Sequence, residues 1–188
     1  MKLIEGEKFV GQDYTATGLK MREYENCVFQ NCNFLEVNLS NIEFVECTFI
    51  DCDLSMVAVD KTAFKEVHFE NCKMLGLQFL NVNPFLLDLS FSRCGLNDSG
   101  FTNLNLKGIQ FHSCTMKSVD FGGTNISEGR LIDCDLQGAL FERTNLEKAD
   151  FSSAMNFQLD LDENQVKGAK FSKENVAGLL GKYGVKVI

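Results

Sequence analysis

Bulky apolar residues recur at every fifth position along most of the chain, as in Phe29, Phe34, Leu39, Phe44, Phe49 and Leu54. One phase of this pattern runs from Phe9 to Leu89, and a second, displaced by two residues, runs from Leu96 to Phe171. Two positions before each bulky centre stands a small or aliphatic residue such as Val37, Ile42, Val119, Ala139 or Ala149. Between the two sits a polar residue, often Asn or Asp, as at Asn33, Asp53, Asp120, Asp135, Asn145 and Asp150. A helix would spread a period of five around its whole surface, and a half-buried strand needs a period of two. The pattern therefore predicts neither element alone but a stacked array of five-residue units, with two inward positions in each unit.

The cysteines show how the units stack. Cys32, Cys52 and Cys72 are 20 residues apart, as are Cys94, Cys114 and Cys134, and the two sets join across a step of 22. The same count aligns Phe9, Phe29, Phe49, Phe69, Leu89 and Phe111 on one side, and Phe101, Phe121 and Phe141 on another. Residue type thus repeats at 20 as well as at five, which predicts four sides per coil and an all-β solenoid. With coils ~4.8 Å apart, about eight of them make a rod on the order of 40 Å long. The 17 Phe fill its interior, leaving no lumen for a substrate.

The pattern is weakest at Pro84 and Asn156, which occupy bulky positions, and at a two-residue slip read between Leu89 and Cys94. It stops at Phe171. Residues 1–171 are therefore expected to form the solenoid and residues 172–188 a separate C-terminal element. There Ser172 is a suitable N-cap, and Val176, Leu179, Leu180 and Tyr183 lie on one face at helical spacing. Gly184 is placed to end the helix, and Val185 to Ile188 read as a short strand. An open solenoid end needs a cap, and an apolar helix and strand can also join two copies about a two-fold axis. Val176, Leu179, Leu180, Tyr183, Val187 and Ile188 are the expected dimer contacts.

The composition narrows the chemistry. No apolar run approaches the ~20 residues that cross a bilayer, and the first residues carry no secretory apolar region, so an intracellular, cytoplasmic protein with no membrane partner is expected. Eight cysteines without close-set ligand pairs fit small buried apolar groups better than a disulfide framework or a zinc site. His68 and His112 have no nucleophile or carboxylate arrangement near them in the pattern. Gly122-Gly123 precedes no helix and is no phosphate loop. No catalytic residue, metal ligand or cofactor site is expected.

Charge is the more informative property. With 18 Lys and Arg against 26 Asp and Glu, the net charge is −8, the wrong sign for direct binding of nucleic acid. The side centred on Tyr24, Phe44 and Phe64 carries Glu23, Glu25, Glu43, Glu46 and Glu66 against Lys65. From charge alone a solvated face is the simpler reading. The alternative is a surface that competes for a site built to hold DNA. Mid-chain, Leu75, Leu80, Phe85, Leu86 and Phe91 all fall at outward positions. Either the small insertion folds over them or they form an exposed apolar contact patch.

Residues 25–56, ENCVFQNCNFLEVNLSNIEFVECTFIDCDLSM, closely resemble the pentapeptide-repeat pattern of Ala/Cys/Val, Asp/Asn, Leu/Phe and two variable residues. That resemblance covers nearly the whole chain and implies a right-handed quadrilateral β-helix. Within the family, GEKF at 6–9, CDLSM at 52–56 and AKFSKENVAGLLGKYGVKVI at 169–188 are similar to the quinolone-resistance (Qnr) proteins and their mycobacterial counterpart. The resemblance implies a non-enzymatic rod, dimeric through its C-terminal segment, that binds the type II topoisomerases gyrase and topoisomerase IV as an acidic DNA mimic. It would set Glu23, Glu25, Glu43, Glu46 and Glu66 against a basic saddle. Many Qnr proteins carry longer projecting loops that matter for drug protection, whereas this chain has only a two-residue insertion. A scaffold that engages an unrelated partner through the mid-rod apolar patch is the alternative.

Overall fold

The computed structural model describes residues 3–20 and 23–185. The chain winds into a parallel β-solenoid with four sides, matching the right-handed quadrilateral β-helix expected. Eleven short strands mark two of the sides. Side 1 holds β1 (Leu3–Glu5), β3 (Glu23–Glu25), β5 (Glu43–Val45) and β7 (Ala63–Lys65), paired in that order. Side 2 holds β2 (Lys8–Val10), β4 (Val28–Gln30), β6 (Thr48–Ile50), β8 (Val67–Glu70), β9 (Leu89–Ser92), β10 (Gln110–His112) and β11 (Arg130–Ile132). The seven strands of side 2 mark six turns. Isolated parallel bridges from Arg130 to Asp150 and from Asp150 to Lys170 carry the stack further. Bridges such as Asn33↔Asp53 and Gly100↔Asp120 define sides 3 and 4.

The five-residue period has a local cause at each corner. Many corner residues take positive φ, among them Asn31 (53°), Glu46 (52°), Asp51 (54°) and Glu66 (55°), a left-handed conformation that turns the chain sharply from one side to the next. The Asp or Asn between the inward positions helps hold this turn. The Asn33 carboxamide oxygen accepts the Leu35 N–H at 3.1 Å, Asp53 accepts from Ser55 at 3.0 Å, and Asp120 accepts from Gly122 at 2.8 Å. Asx side chains can bond the backbone two residues on, and for that reason the polar position favours them.

Inside, the two inward columns pack as rings and small groups. On side 2 the stack is Phe9–Phe29–Phe49–Phe69–Phe91–Phe111, with centroids 4.8–5.2 Å apart. On side 4 it is Phe79–Phe101–Phe121–Phe141. Rings on adjoining sides meet edge to face, as Phe101 does with Phe111 at 76°. The small column carries thiols and hydroxyls that donate to carbonyls of the preceding coil. Cys52 Sγ lies 3.3 Å from the Phe29 oxygen, and the Thr124 hydroxyl donates to the Phe101 oxygen at 2.7 Å. No buried side-chain polar atom among the described residues lacks a partner.

Three details differ from the sequence reading. The slip lies between Asn83 and Leu89, not after Leu89. The register is still 20 at Ala63↔Asn83 but is 22 at Val67↔Leu89 and Phe69↔Phe91. Leu87-Asp88 are the extra residues, so Leu89 takes the small-column position and Phe91 the bulky centre. Near the end, Phe157 is buried in place of Asn156, and Leu161 is exposed, because the last coil lacks a regular partner beyond it. The tail forms no α-helix among the described residues but two 3₁₀ turns, Val176–Leu179 and Gly181–Tyr183.

That tail is seated on the final coil. Asn175 donates through Nδ2 to the Phe151 and Ala154 oxygens at 2.7 and 3.0 Å, and Leu159 N–H donates to the Gly178 oxygen at 3.0 Å. Gly178 passes so close that a Cβ there would collide with the Phe157 oxygen. The narrower 3₁₀ turn brings the backbone close against this surface. Gly184 ends the second turn at φ 64°, as its position predicted.

All eight cysteines are free and buried. Burial pushes the Cys47 thiol up to about 12. Hydrogen bonding to the next thiol in the file, then burial, raises Cys94 and Cys114 to about 12. The same thiol–thiol bonds, from Cys72 and Cys114, lower Cys52 and Cys134, but with at most 2% of either residue exposed, neither meets solvent.

Two outcomes are expected. Phe121→Ala, at a fully buried mid-rod position, should lower the unfolding free energy by about 3–5 kcal/mol in a denaturant titration; a loss below about 1 kcal/mol would contradict the packing described. A thiol-reactive disulfide reagent at about pH 8, near the ordinary thiol range, should leave the native protein unlabelled and titrate eight thiols after denaturation. Rapid labelling of any native cysteine would show that the file is open.

Candidate functional site

The acidic residues singled out from the sequence are brought together by side 1. Parallel pairing sets Glu23 beside Glu43, and Glu25 between Glu5 and Val45. Side chains in adjacent coils are therefore held ~4.8 Å apart. Glu46 and Glu66 stand at the corner between sides 1 and 2, one coil apart, and both are exposed. Glu23, Glu25 and Glu43 are half-buried along the flank. Their backbone is fixed by the ring stack beneath, since Tyr24, Phe44 and Phe64 lie at the centres of the same strands, with centroids 5.5 and 5.7 Å apart.

Among the described residues, one cation sits inside this group. Lys65 is ion-paired with Glu43 and lies 5.6 Å from the centroid of the Phe85 ring. Its position in the column that includes Glu25 and Val45 marks where the acidic run ends and the apolar segment begins. Glu5 extends the same column at the other end, an acid the sequence reading left out although its 20-residue spacing from Glu25 was available.

The aspartates at the polar position of the repeat have a different role. Asp150 is held below the usual carboxylate range by hydrogen bonds from the Ser152 hydroxyl and backbone N–H, and Asp135 chiefly by the Asn156 side chain. Lys170 and Lys117 add ion pairs to Asp150 and Asp135. These carboxylates are occupied in holding corners. Glu23, Glu25, Glu46 and Glu66 stand instead on the outward flank and corner of side 1, so the structure separates a structural set of acids from an outward-facing set.

The apolar residues divide. Leu75 belongs to side 3 and Leu80 to side 4, while Phe85 and Leu86 stand beyond Lys65 on side 1 and at its corner. Phe85 and Leu86 are 65% and 64% exposed, and Leu75 and Leu80 are also exposed. The insertion does not fold over them. Phe91, read as an outward member of this patch, is buried between Phe69 and Phe111; because the slip falls before Leu89, the ring turns inward. Pro84, lacking an N–H, leaves the bulky position, and Leu87 packs partly against the core beside it.

Among the tail residues, Leu179 packs on the core and Leu180 is half-buried, whereas Val176 and Tyr183 are exposed. At about three residues per turn, the four do not align on one face. Val187 and Ile188 lie outside the described residues. His68 shares a hydrogen bond with Ser90 at 2.7 Å, and His112 lies exposed farther along the same side. No group of His, Cys, Asp and Glu among the described residues is arranged to hold a metal ion. No helix there is long and apolar enough to cross a membrane.

Comparison with known proteins agrees with this architecture. The chain is 32% identical over 101 residues to the pentapeptide repeat protein QnrB4 of Escherichia coli, covering 51% of this chain and 46% of that protein. It is 31% identical over 126 residues to the quinolone resistance pentapeptide repeat protein QnrB96 of Scandinavium goeteborgense, covering 60% and 59%. The matches thus span roughly half to three-fifths of these relatives. Among solved structures, a trypsin-treated variant of QnrB1, described as a plasmid-mediated fluoroquinolone resistance protein, superposes with a TM-score of 0.65 over all of both chains at 19% identity. Full-length QnrB1 gives 0.62 over 98% of this chain and 100% of that one at 17% identity. The family described as pentapeptide repeat region matches residues 23–84 and 79–151, more than half of the sequence, and the chain belongs to it.

Proposed function

We propose that this protein is a non-enzymatic, cytoplasmic DNA mimic that binds a type II topoisomerase, gyrase or topoisomerase IV, and changes its activity or its response to quinolones. The observation that carries the reading is the fixed stack of outward glutamates on side 1. Glu23, Glu25, Glu43, Glu46 and Glu66 lie on three successive coils, ~10 Å of rod from first to last, two, two and one to a coil. One DNA strand presents a charge every ~3.4 Å of axis. Even after Lys65 is subtracted the mean charge density along the rod is comparable to that of a phosphate strand, on a backbone held by the ladder. A solvated face needs charge but no such concentration on one side. The similarity to quinolone resistance proteins supports the same partner class. No cofactor or direct nucleic-acid contact enters the mechanism: the carboxylates occupy a basic DNA-binding surface and thereby compete with DNA.

A second reading, a scaffold for an unrelated partner, draws on the exposure of Phe85 and Leu86. Charge variants separate the two. Replacing Glu23, Glu25, Glu46 and Glu66 by Gln should weaken binding to gyrase or topoisomerase IV at least ~10-fold and flatten its salt dependence. Unchanged affinity would leave the scaffold reading. In a supercoiling assay with and without a quinolone, the unsubstituted protein at micromolar concentration should inhibit or protect the enzyme; absence of inhibition, protection and binding would overturn the proposal.

We also assign the tail to dimerisation, through Val176, Leu179, Leu180 and Tyr183 together with Val187 and Ile188. Exposed Val176, Tyr183 and Val185 leave apolar area for a second copy. Deleting residues 173–188 should yield monomers by sedimentation, and an unchanged mass distribution would refute the assignment.

A further inference from the structure

The slip in the repeat changes side 1 more than its two extra residues require. At the corner between sides 1 and 2, the Asn26 N–H bonds Val45 and the Glu46 N–H bonds Lys65. The series resumes only with Gly108 to Ser127. Among the described residues no such bond is made from Glu66, and no bridge joins Asn83 to Asn105. Pro84 to Leu87 therefore stand off the ladder, beside a cleft of about 590 Å³ lined by Leu86, Leu87, Leu106 and Ile109 together with Glu66 and Asp88.

The raised segment is nevertheless held. Asn83 Oδ1 accepts the Phe85 N–H at 3.0 Å, the Asp88 N–H donates to the Phe64 oxygen at 3.0 Å, and Lys65 lies beneath the Phe85 ring. Leu86 takes φ 55°, a conformation costly for a branched side chain and readily taken by Asn. Among the described non-glycine residues with positive φ, only Met56 is also apolar. Folding gains little from an aromatic ring and a strained leucine turned to solvent; binding gains from rigid apolar groups that lose little freedom on contact.

We infer that Phe85 and Leu86 are the apolar anchor by which this rod is retained on a protein partner whose basic surface carries an apolar recess beside it. The inference rests on the proposed topoisomerase reading and deepens it. Charge complementarity chooses the occupant: Phe85 follows Lys65 in the column that includes Glu25, while Glu66 and Asp88 border the cleft, so a surface drawn to the glutamates meets the ring one coil farther on. The two parts then divide the work. The glutamates govern approach and salt dependence, and the anchor governs residence time.

The test is a biosensor measurement with purified gyrase and topoisomerase IV subunits immobilised, at two or more salt concentrations. It compares the unsubstituted chain, Phe85→Ser with Leu86→Asn, and the four-glutamate Gln variant. Asn suits the φ of position 86, so the anchor variant should melt at an unchanged temperature. The expected result is at least a ~10-fold weaker complex, lost mainly through faster dissociation, with the salt slope preserved; the Gln variant should alter the slope. If the unsubstituted chain binds and the anchor variant binds equally well, the anchor is overturned and the mimic reading stands. If the unsubstituted chain binds none of the subunits, the mimic reading falls, and the anchor with it.

Discussion

The vertical stacking of inward rings at the spacing of a β-ladder is the contact on which the rest of this molecule depends. Ladder hydrogen bonds fix coils at ~4.8 Å, and the Phe centroids of side 2 follow at 4.8–5.2 Å. Ring area is removed from water while backbone groups are satisfied by the neighbouring coil, so the two largest requirements of a buried chain are met by one geometry. The thiols and hydroxyls of the small column leave room for the rings and bond carbonyls of the coil before them. Every outward residue then inherits a fixed position.

The period of five, the coil of 20 and the square section were legible because each inward position accepts few residue types. A cysteine or phenylalanine there repeats wherever the coil repeats. The slip was harder to place: Leu89 and Phe91 are both bulky, both end up buried, and either fits a bulky column when read alone. Only the hydrogen-bonded register, Val67 with Leu89 and Phe69 with Phe91, decides between them. The tail misled for a related reason. Its apolar spacing fits an α-helix, but contact with the last coil, where Gly178 meets the Phe157 oxygen, selects a tighter turn that sequence periodicity does not report.

For the candidate site, the positions of Glu23, Glu25, Glu43, Glu46 and Glu66 followed from the lattice alone. Which acids are already occupied did not. Asp135 and Asp150 have the same formal charge as the glutamates, yet hydrogen bonds to Asn156 and Ser152 commit each to a corner. Likewise Lys65 counts as a single opposing charge in composition, but in space it neutralises Glu43 and supports Phe85. Net charge overstates what a partner meets, and the distinction between structural and outward-facing acids comes from geometry.

The interrupted ladder at Pro84 has a mechanical consequence. Side 2 passes the break through β8 and β9, and sides 3 and 4 pass it through Lys73↔Gly95 and Gln78↔Gly100, while on side 1 Asn83 stays bridged to Ala63 but, among the described residues, not to Asn105. A tube continuous along three walls and cut on the fourth is not equally stiff in every direction. It bends most easily in the plane that opens or closes the cut, and resists bending across it. The acidic run ends at that cut, so the direction of easiest bending is set at the boundary of the charged surface and not within it.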